Sequence, residues 1–179
     1  MEEIVYMRKY ISTIVLFLLT SFPLFSQNLV RNGDFKKYEP LTGRCADWVY
    51  IAHNEVVEEG PGVTPVLRVA SYYRSSDGSW KGNAIIEIPE IPAGSYRFRL
   101  KTRGSANKIY FFLNSARRKF TICRDCHKNR MKSMGNGWKS GEYKVTFSKN
   151  MQKVKLILDF FFLHPGEYEY IADVQLVKE

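Results

Sequence analysis

Asn28-Leu29-Val30-Arg31-Asn32-Gly33-Asp34-Phe35 reads as a short edge strand at Leu29 and Val30, a turn at Asn32-Gly33, and an aromatic anchor, Phe35, returning to an apolar core. A partner for it lies at the far end of the chain. Tyr168 to Val177 alternates apolar and polar residues, which predicts that Tyr168, Tyr170, Ala172, Val174 and Leu176 share one strand face. The expectation is that the two stretches lie side by side and close one β-rich domain.

The chain between them is strands separated by glycine and proline turns. Trp48 to Ile51, Val66 to Ala70, Ala84 to Ile88 (closed by Pro89), Ile109 to Leu113 and Glu142 to Phe147 read as strands. Gly60-Pro61-Gly62 and Pro65 mark a turn region in which a helix cannot persist. From Tyr96 to Arg103 the alternation is clearest: Tyr96, Phe98, Leu100 and Thr102 face one way, and Arg97, Arg99, Lys101 and Arg103 face water or a cleft. Val154 to Phe162, with Val154, Leu156, Leu158 and Phe160 on one face, predicts a central buried strand. Cys123 to Gly137 has no such pattern and reads as a basic loop. About ten strands and no helix point to an all-β jelly-roll sandwich.

Length and composition set the frame. The chain has 179 residues, 45% of them hydrophobic and 15% aromatic, enough for one domain with its own core. Arg8 and Lys9, the apolar run Ile11 to Leu19 and a cleavage-like stretch Ser21 to Ser26 predict a signal peptide over residues 1–26, leaving a domain over 27–179. The apolar run is short for a bilayer span, so no stable membrane insertion is expected after processing. Localisation is then secreted, periplasmic or cell-surface. Lysine and arginine total 27 against 18 acids, a net charge of +9, and the excess gathers between Lys101 and Lys139. This is the reading of a solvated basic face with a mobile loop; an acidic glycan is a candidate partner, and nucleic acid is not expected.

In this order the motifs resemble the carbohydrate-binding modules of the family 4, 9 and 16 group, with their galactose-binding-domain-like jelly roll. The resemblance rests on Asn28 to Phe35, Trp48, Leu67-Arg68-Val69, Trp80-Lys81-Gly82, Pro92 to Phe98, Trp138 with Tyr143 and Thr146-Phe147, and Ala172 to Val177. It implies a non-catalytic module that binds a glycan or polysaccharide through loop and concave-face aromatics. It also implies a structural calcium held by Asp34 and Asp173, although Lys36 stands where a glutamate is usual. An ammonium there can replace the ion by pairing with Asp173.

Sugar recognition needs flat apolar surfaces for C–H faces and polar groups for hydroxyls. The carbohydrate-binding candidates are Tyr72, Tyr73, Arg74 and Trp80 around one short loop, Tyr110 on its strand, and Trp138 beside the basic loop. Phe112 shares the face of Tyr110, with Phe111 on the other side. Cys123-Arg124-Asp125-Cys126-His127 is a C-x-x-C-H pattern that fits a disulfide, a zinc site or a haem attachment, and Cys45 is the third thiol. A disulfide joins Cys123 to Cys126, or Cys45 to one of them; the spacing does not choose. Scattered carboxylates, with no pair shown to straddle a glycosidic bond, argue against an enzyme. The alternatives are a structural or adhesion sandwich with a protein partner, and a metal or haem protein built on Cys123, Cys126 and His127.

Overall fold

The amide of Leu29 donates to the Leu176 carbonyl at 2.9 Å, and Asn28 bridges Val177 in antiparallel fashion, so the opening stretch does lie beside the last strand. The Asn28 side chain staples the pair: its Oδ1 accepts from the amides of Leu176 at 2.8 Å and Val30 at 3.1 Å, and its Nδ2 donates to the Val174 carbonyl at 3.3 Å. The Gly33 carbonyl accepts from Val174 at 2.9 Å, and the backbones come so close that a Cβ on Gly33 would sit 2.0 Å from the Val174 oxygen. Phe35, fully buried, then packs on Trp48 with ring centroids 5.1 Å apart.

The computed structural model describes residues 27–49, 54–58, 65–74, 76, 78–115 and 118–179. The segment read as a signal peptide, the Tyr50-Ile51 end of the first strand and the Gly60-Pro61-Gly62 turn lie outside the described residues. Twelve strands are present among them: β1 (Trp48–Val49), β2 (Glu55–Val57), β3 (Val66–Ala70), β4 (Tyr73–Arg74), β5 (Trp80–Ile91), β6 (Gly94–Gly104), β7 (Lys108–Ser115), β8 (Arg118–His127), β9 (Lys132–Gly135), β10 (Trp138–Phe147), β11 (Met151–Phe161) and β12 (Tyr168–Lys178). They form two sheets packed face to face as a jelly-roll sandwich. The front sheet runs β1-β5-β11-β7-β8, with β4 also on β5; the back sheet runs β2-β3-β12-β6-β10-β9.

The core is the set of inward positions that the alternation marks. Ile86, Leu156, Leu113, Phe111, Leu158, Phe160 and Ile109 from the front sheet meet Phe98, Leu100, Ile171, Val174 and Leu176 from the back, all buried. The strand expected over Val154 to Phe162 is central and ends at Phe161, paired with β5 on one side and β7 on the other. β5 is longer than the sequence suggests and runs through Pro89, which stands where the paired residues skip from Ile88 to Glu90. The four cations of β6 occupy the outer face of the back sheet. Arg97 meets Glu142 at 2.9 Å and Glu179 at 2.5 Å, Arg99 meets Glu142 at 2.8 Å, and Lys101 meets Asp173 at 2.5 Å.

Two sequence expectations are corrected. Tyr168, Tyr170, Ala172, Val174 and Leu176 do not share a face, because β12 carries an extra residue between Ala172 and Gln175, with Asp173 at φ 50°. Such a bulge shifts the phase of alternation. Tyr168 and Tyr170 stay half-buried while Ile171, Val174 and Leu176 fill the core.

Nor is Cys123 to Gly137 a loop. It forms the end of β8, a 3-10 turn over Lys128–Arg130, and β9. Its anchor is a buried ion pair. The Lys128 ammonium donates to Glu169 Oε1 at 2.8 Å, to Oε2 at 3.1 Å and to the Gly104 carbonyl at 2.7 Å. Thr102 Oγ1 and the Ala106 amide complete the shell around the carboxylate. Burial pushes the Glu169 carboxyl above its ordinary value, and Lys128 is the main group pulling it back.

Two stability predictions follow from these contacts. Gly33→Ala has to open the Gly33–Val174 approach, and urea unfolding should show a loss of about 1–3 kcal/mol. Lys128→Ala leaves a buried carboxylate unpaired and should cost about 3–5 kcal/mol near neutral pH. A carboxyl whose folded pKa is raised favours folding while protonated, and that contribution is lost as pH rises through the raised value. The Lys128→Ala deficit should therefore shrink on acidification and widen toward neutrality; a deficit independent of pH would contradict this placement of charge.

Candidate functional site

The inward phase of β5, β11 and β7 is apolar, so the opposite phase gives the front sheet an outer face of different chemistry. Its rows are set by the register. Lys81, Phe161 and Lys108 lie abreast; next come Asn83, Asp159 and Tyr110; then Ile85, Ile157 and Phe112; and then Glu87, Lys155 and Asn114. Tyr73 of β4 is opposite Lys81 and extends the first row. The face therefore alternates rings with polar groups across neighbouring strands.

The rings make close contacts. Tyr110 and Phe161 have centroids 4.3 Å apart, and Tyr72 and Tyr73 lie 4.5 Å apart. Ammonium groups sit over three of the rings: Lys81 is 4.1 Å from the centroid of Phe161, Lys108 is 4.9 Å from Tyr110, and Lys119 is 4.1 Å from Phe112. Asp159 is half-buried between them. Burial pushes its carboxyl up from the ordinary value, while Lys81, Lys119 and a hydrogen bond from Asn83 pull it down.

Asn83 is the hinge of the polar part. Its backbone carbonyl accepts from Asn54 Nδ2 at 2.7 Å, and its own Nδ2 donates to the Tyr72 hydroxyl at 2.8 Å. Its Oδ1 is buried and has no partner among the described residues. A buried acceptor left without a donor is costly, and a ligand hydroxyl is one way to satisfy it. Burial also pushes the Tyr72 phenol up from its ordinary value, against the Asn83 hydrogen bond.

The predicted sugar-binding residues separate into three groups. Tyr72, Tyr73 and Tyr110 belong to the front face. Arg74 and Trp80 lie opposite one another in the β4–β5 pair, out of phase with Tyr73 and Lys81, so they turn away from that face; Arg74 Nε donates to the Gly78 carbonyl at 3.0 Å. Trp138 starts β10 in the back sheet, where the Arg103 guanidinium lies 5.3 Å from its ring and 5.2 Å from that of Tyr170. Lys81, Asn83, Asp159, Phe161 and Lys119 join the face without having been singled out. A readable signal existed for one of them: Asp159 is the lone acid in the apolar run Val154 to Phe162.

Cys123 and Cys126 form a disulfide, with Cα atoms 5.9 Å apart, and Cys45 is free. With both thiols joined, the zinc and haem alternatives lose their sulfur ligands; His127 is exposed at the end of β8. The Lys36 ammonium lies 3.3 Å from Asp34 rather than against Asp173, whose carboxylate is held by Lys101. Calcium at Asp34 and Asp173 would have to displace both ammoniums. Among the described residues, no three His, Cys, Asp or Glu side chains gather closely enough to hold a metal ion.

Neither a family model nor a curated protein matches the sequence. Solved structures do. The carbohydrate-binding module TmCBM61, in complex with β-1,4-galactotriose, superposes with a TM-score of 0.56 at 17% identity, covering 86% of this chain and 100% of that one. An apo-form cyclase from Fischerella sp. gives 0.58 at 14% identity, covering 84% and 94% respectively. A cyclase from Fischerella sp. TAU gives 0.55 at 10% identity, covering 84% and 95%. These likenesses show that the fold is shared.

Cys45 supplies a check on the loop that carries it. Desolvation first, then Asp47 and Asp34, push its thiol up to about 12. Alkylation at pH 8 should be on the order of a thousandfold slower than for the unfolded chain, because the thiolate is the reacting form. Mass spectrometry of the natively alkylated protein should find Cys45 unlabelled and a Cys123–Cys126 cross-link.

Proposed function

We propose that the protein is an exported, non-catalytic module that binds a glycan on the outer face of the front sheet. The reading is carried by one juxtaposition: the paired rings of Tyr110 and Phe161 beside the unpartnered Asn83 oxygen. Rings provide apolar platforms for the C–H faces of a pyranose, and a buried acceptor selects a hydroxyl. Tyr72 and Tyr73 extend the platform at the β4 edge. The fold shared with a module solved on a galactotriose is consistent with this use, although the same architecture serves cyclases.

The carboxylates support a binding role over hydrolysis. Glycoside hydrolysis needs two carboxyl groups flanking the scissile bond. On the described face Asp159 is held by Asn83, and Glu87, two rows away, lies 3.4 Å from Lys155. Export rests on the basic and apolar residues at the start of the chain.

A glycan array probed with the purified 27–179 domain should give a defined set of hits. On the best of them Tyr110→Ala should weaken binding by about tenfold, equivalent to about 1.4 kcal/mol, while Trp138→Ala should leave it unchanged. The reverse pattern would move the site to the back sheet. An array with no hits would favour an adhesion domain with a protein partner.

A further inference from the structure

We infer that the glycan held on this face is anionic, a polymer whose sugars carry carboxylates or sulfate esters, engaged by Lys81, Lys108 and Lys119. The inference rests on the proposed glycan-binding face and names the ligand class that suits it. The positions of the three ammonium groups carry it. Each lies over a ring that a sugar would otherwise stack on, at 4.1 to 4.9 Å from the centroid, and the lysines belong to β5, β7 and β8, on both sides of the central strand. A neutral pyranose has to lift these cations off the rings before its C–H face can settle there, and its hydroxyls return only hydrogen bonds to uncharged oxygen, weaker than pairing with an anion. A sugar bearing an anion leaves each cation near its ring edge and pairs with it.

The charge balance of the face points the same way. Lys81 and Lys119 both act on Asp159, two cations about one carboxylate, and the nearby Glu87 is already held by Lys155. On the back sheet Arg97, Arg99 and Lys101 each meet an acid within 3 Å, so their charge is answered within the protein. The unpartnered Asn83 oxygen adds a requirement that a bare anion does not meet, because it needs a hydroxyl donor. An acidic sugar supplies both groups on one ring.

The test compares polymers that differ only in charge. Polygalacturonate is measured against its carboxyl-reduced form, and dextran sulfate against dextran, by titration calorimetry with the 27–179 domain. At least one anionic polymer should bind tenfold or more tighter than its neutral counterpart, and which one does so separates carboxylate from sulfate recognition. The double variant Lys81→Gln, Lys119→Gln should lose at least tenfold toward that polymer. The back-sheet control Arg99→Gln, Lys132→Gln should lose less than twofold. Thermal unfolding confirms that each variant is folded, and Lys81→Arg with Lys119→Arg should restore binding if either glutamine variant is destabilised. Equal binding of the neutral forms, with the Tyr110→Ala loss retained, would overturn the anionic class and leave the glycan reading standing. Equal losses in the front and back variants would overturn it in favour of general attraction to a basic protein. Loss of every polymer and every array hit would remove the glycan reading itself.

Discussion

The register of β11 between β5 and β7 is the constraint on which the rest depends. Leu156 is opposite Ile86 on one side and Leu113 on the other, and Leu158 is opposite Ala84 and Phe111. Those pairs make the core. The same register sets Asp159 between Asn83 and Tyr110 on the outside. A slip of one residue would exchange the two sets, burying a carboxylate and exposing leucines, so the hydrophobic demand on the inside also fixes which polar groups meet outside. The face is a by-product of the core, and its geometry is as rigid as the core that sets it.

Much of the sandwich is legible in the sequence because a half-buried strand writes its environment as an alternation. Phe111 between Tyr110 and Phe112 is enough to separate core from surface there. What the alternation does not encode is which sheet a strand joins. Trp138 and Tyr110 both begin or lie on strands with good patterns, yet they end up on opposite sides of the molecule. Trp80 has the right neighbours but the wrong phase. The bulge at Asp173 is invisible for a different reason, since an inserted residue breaks no composition rule. Cys123 to Gly137 looked structureless because its organising contact joins Lys128 to Glu169, 41 residues away. Local pattern cannot report a long-range pair.

The net charge of +9 says less than its local settings. On the back sheet the cations of β6 are absorbed by Glu142, Glu179 and Asp173, and Arg103 lies between two rings. Exposed pairs of this kind contribute little to stability, but they neutralise that surface. Lys128 is buried and answers one carboxylate in a shell of four hydrogen bonds. On the front sheet Lys81, Lys108 and Lys119 lie over aromatic rings. One residue type thus serves as surface neutraliser, internal strut and ring cover, according to what lies opposite.

The staple formed by Asn28 has a geometric corollary. Residues 28–30 run along the side of β12 that β3 leaves open beyond Ile171, and Glu179 donates its amide to Ser95 on the same sheet. Entry and exit of the folded body therefore lie close together on the back sheet, about 10 Å of packed side chains away from the front one. A tether fused at either end would grip the molecule from behind and present the aromatic face outward. The two ends could be joined by a short linker and the chain reopened at the exposed turn over residues 148–150 with little disturbance to either sheet.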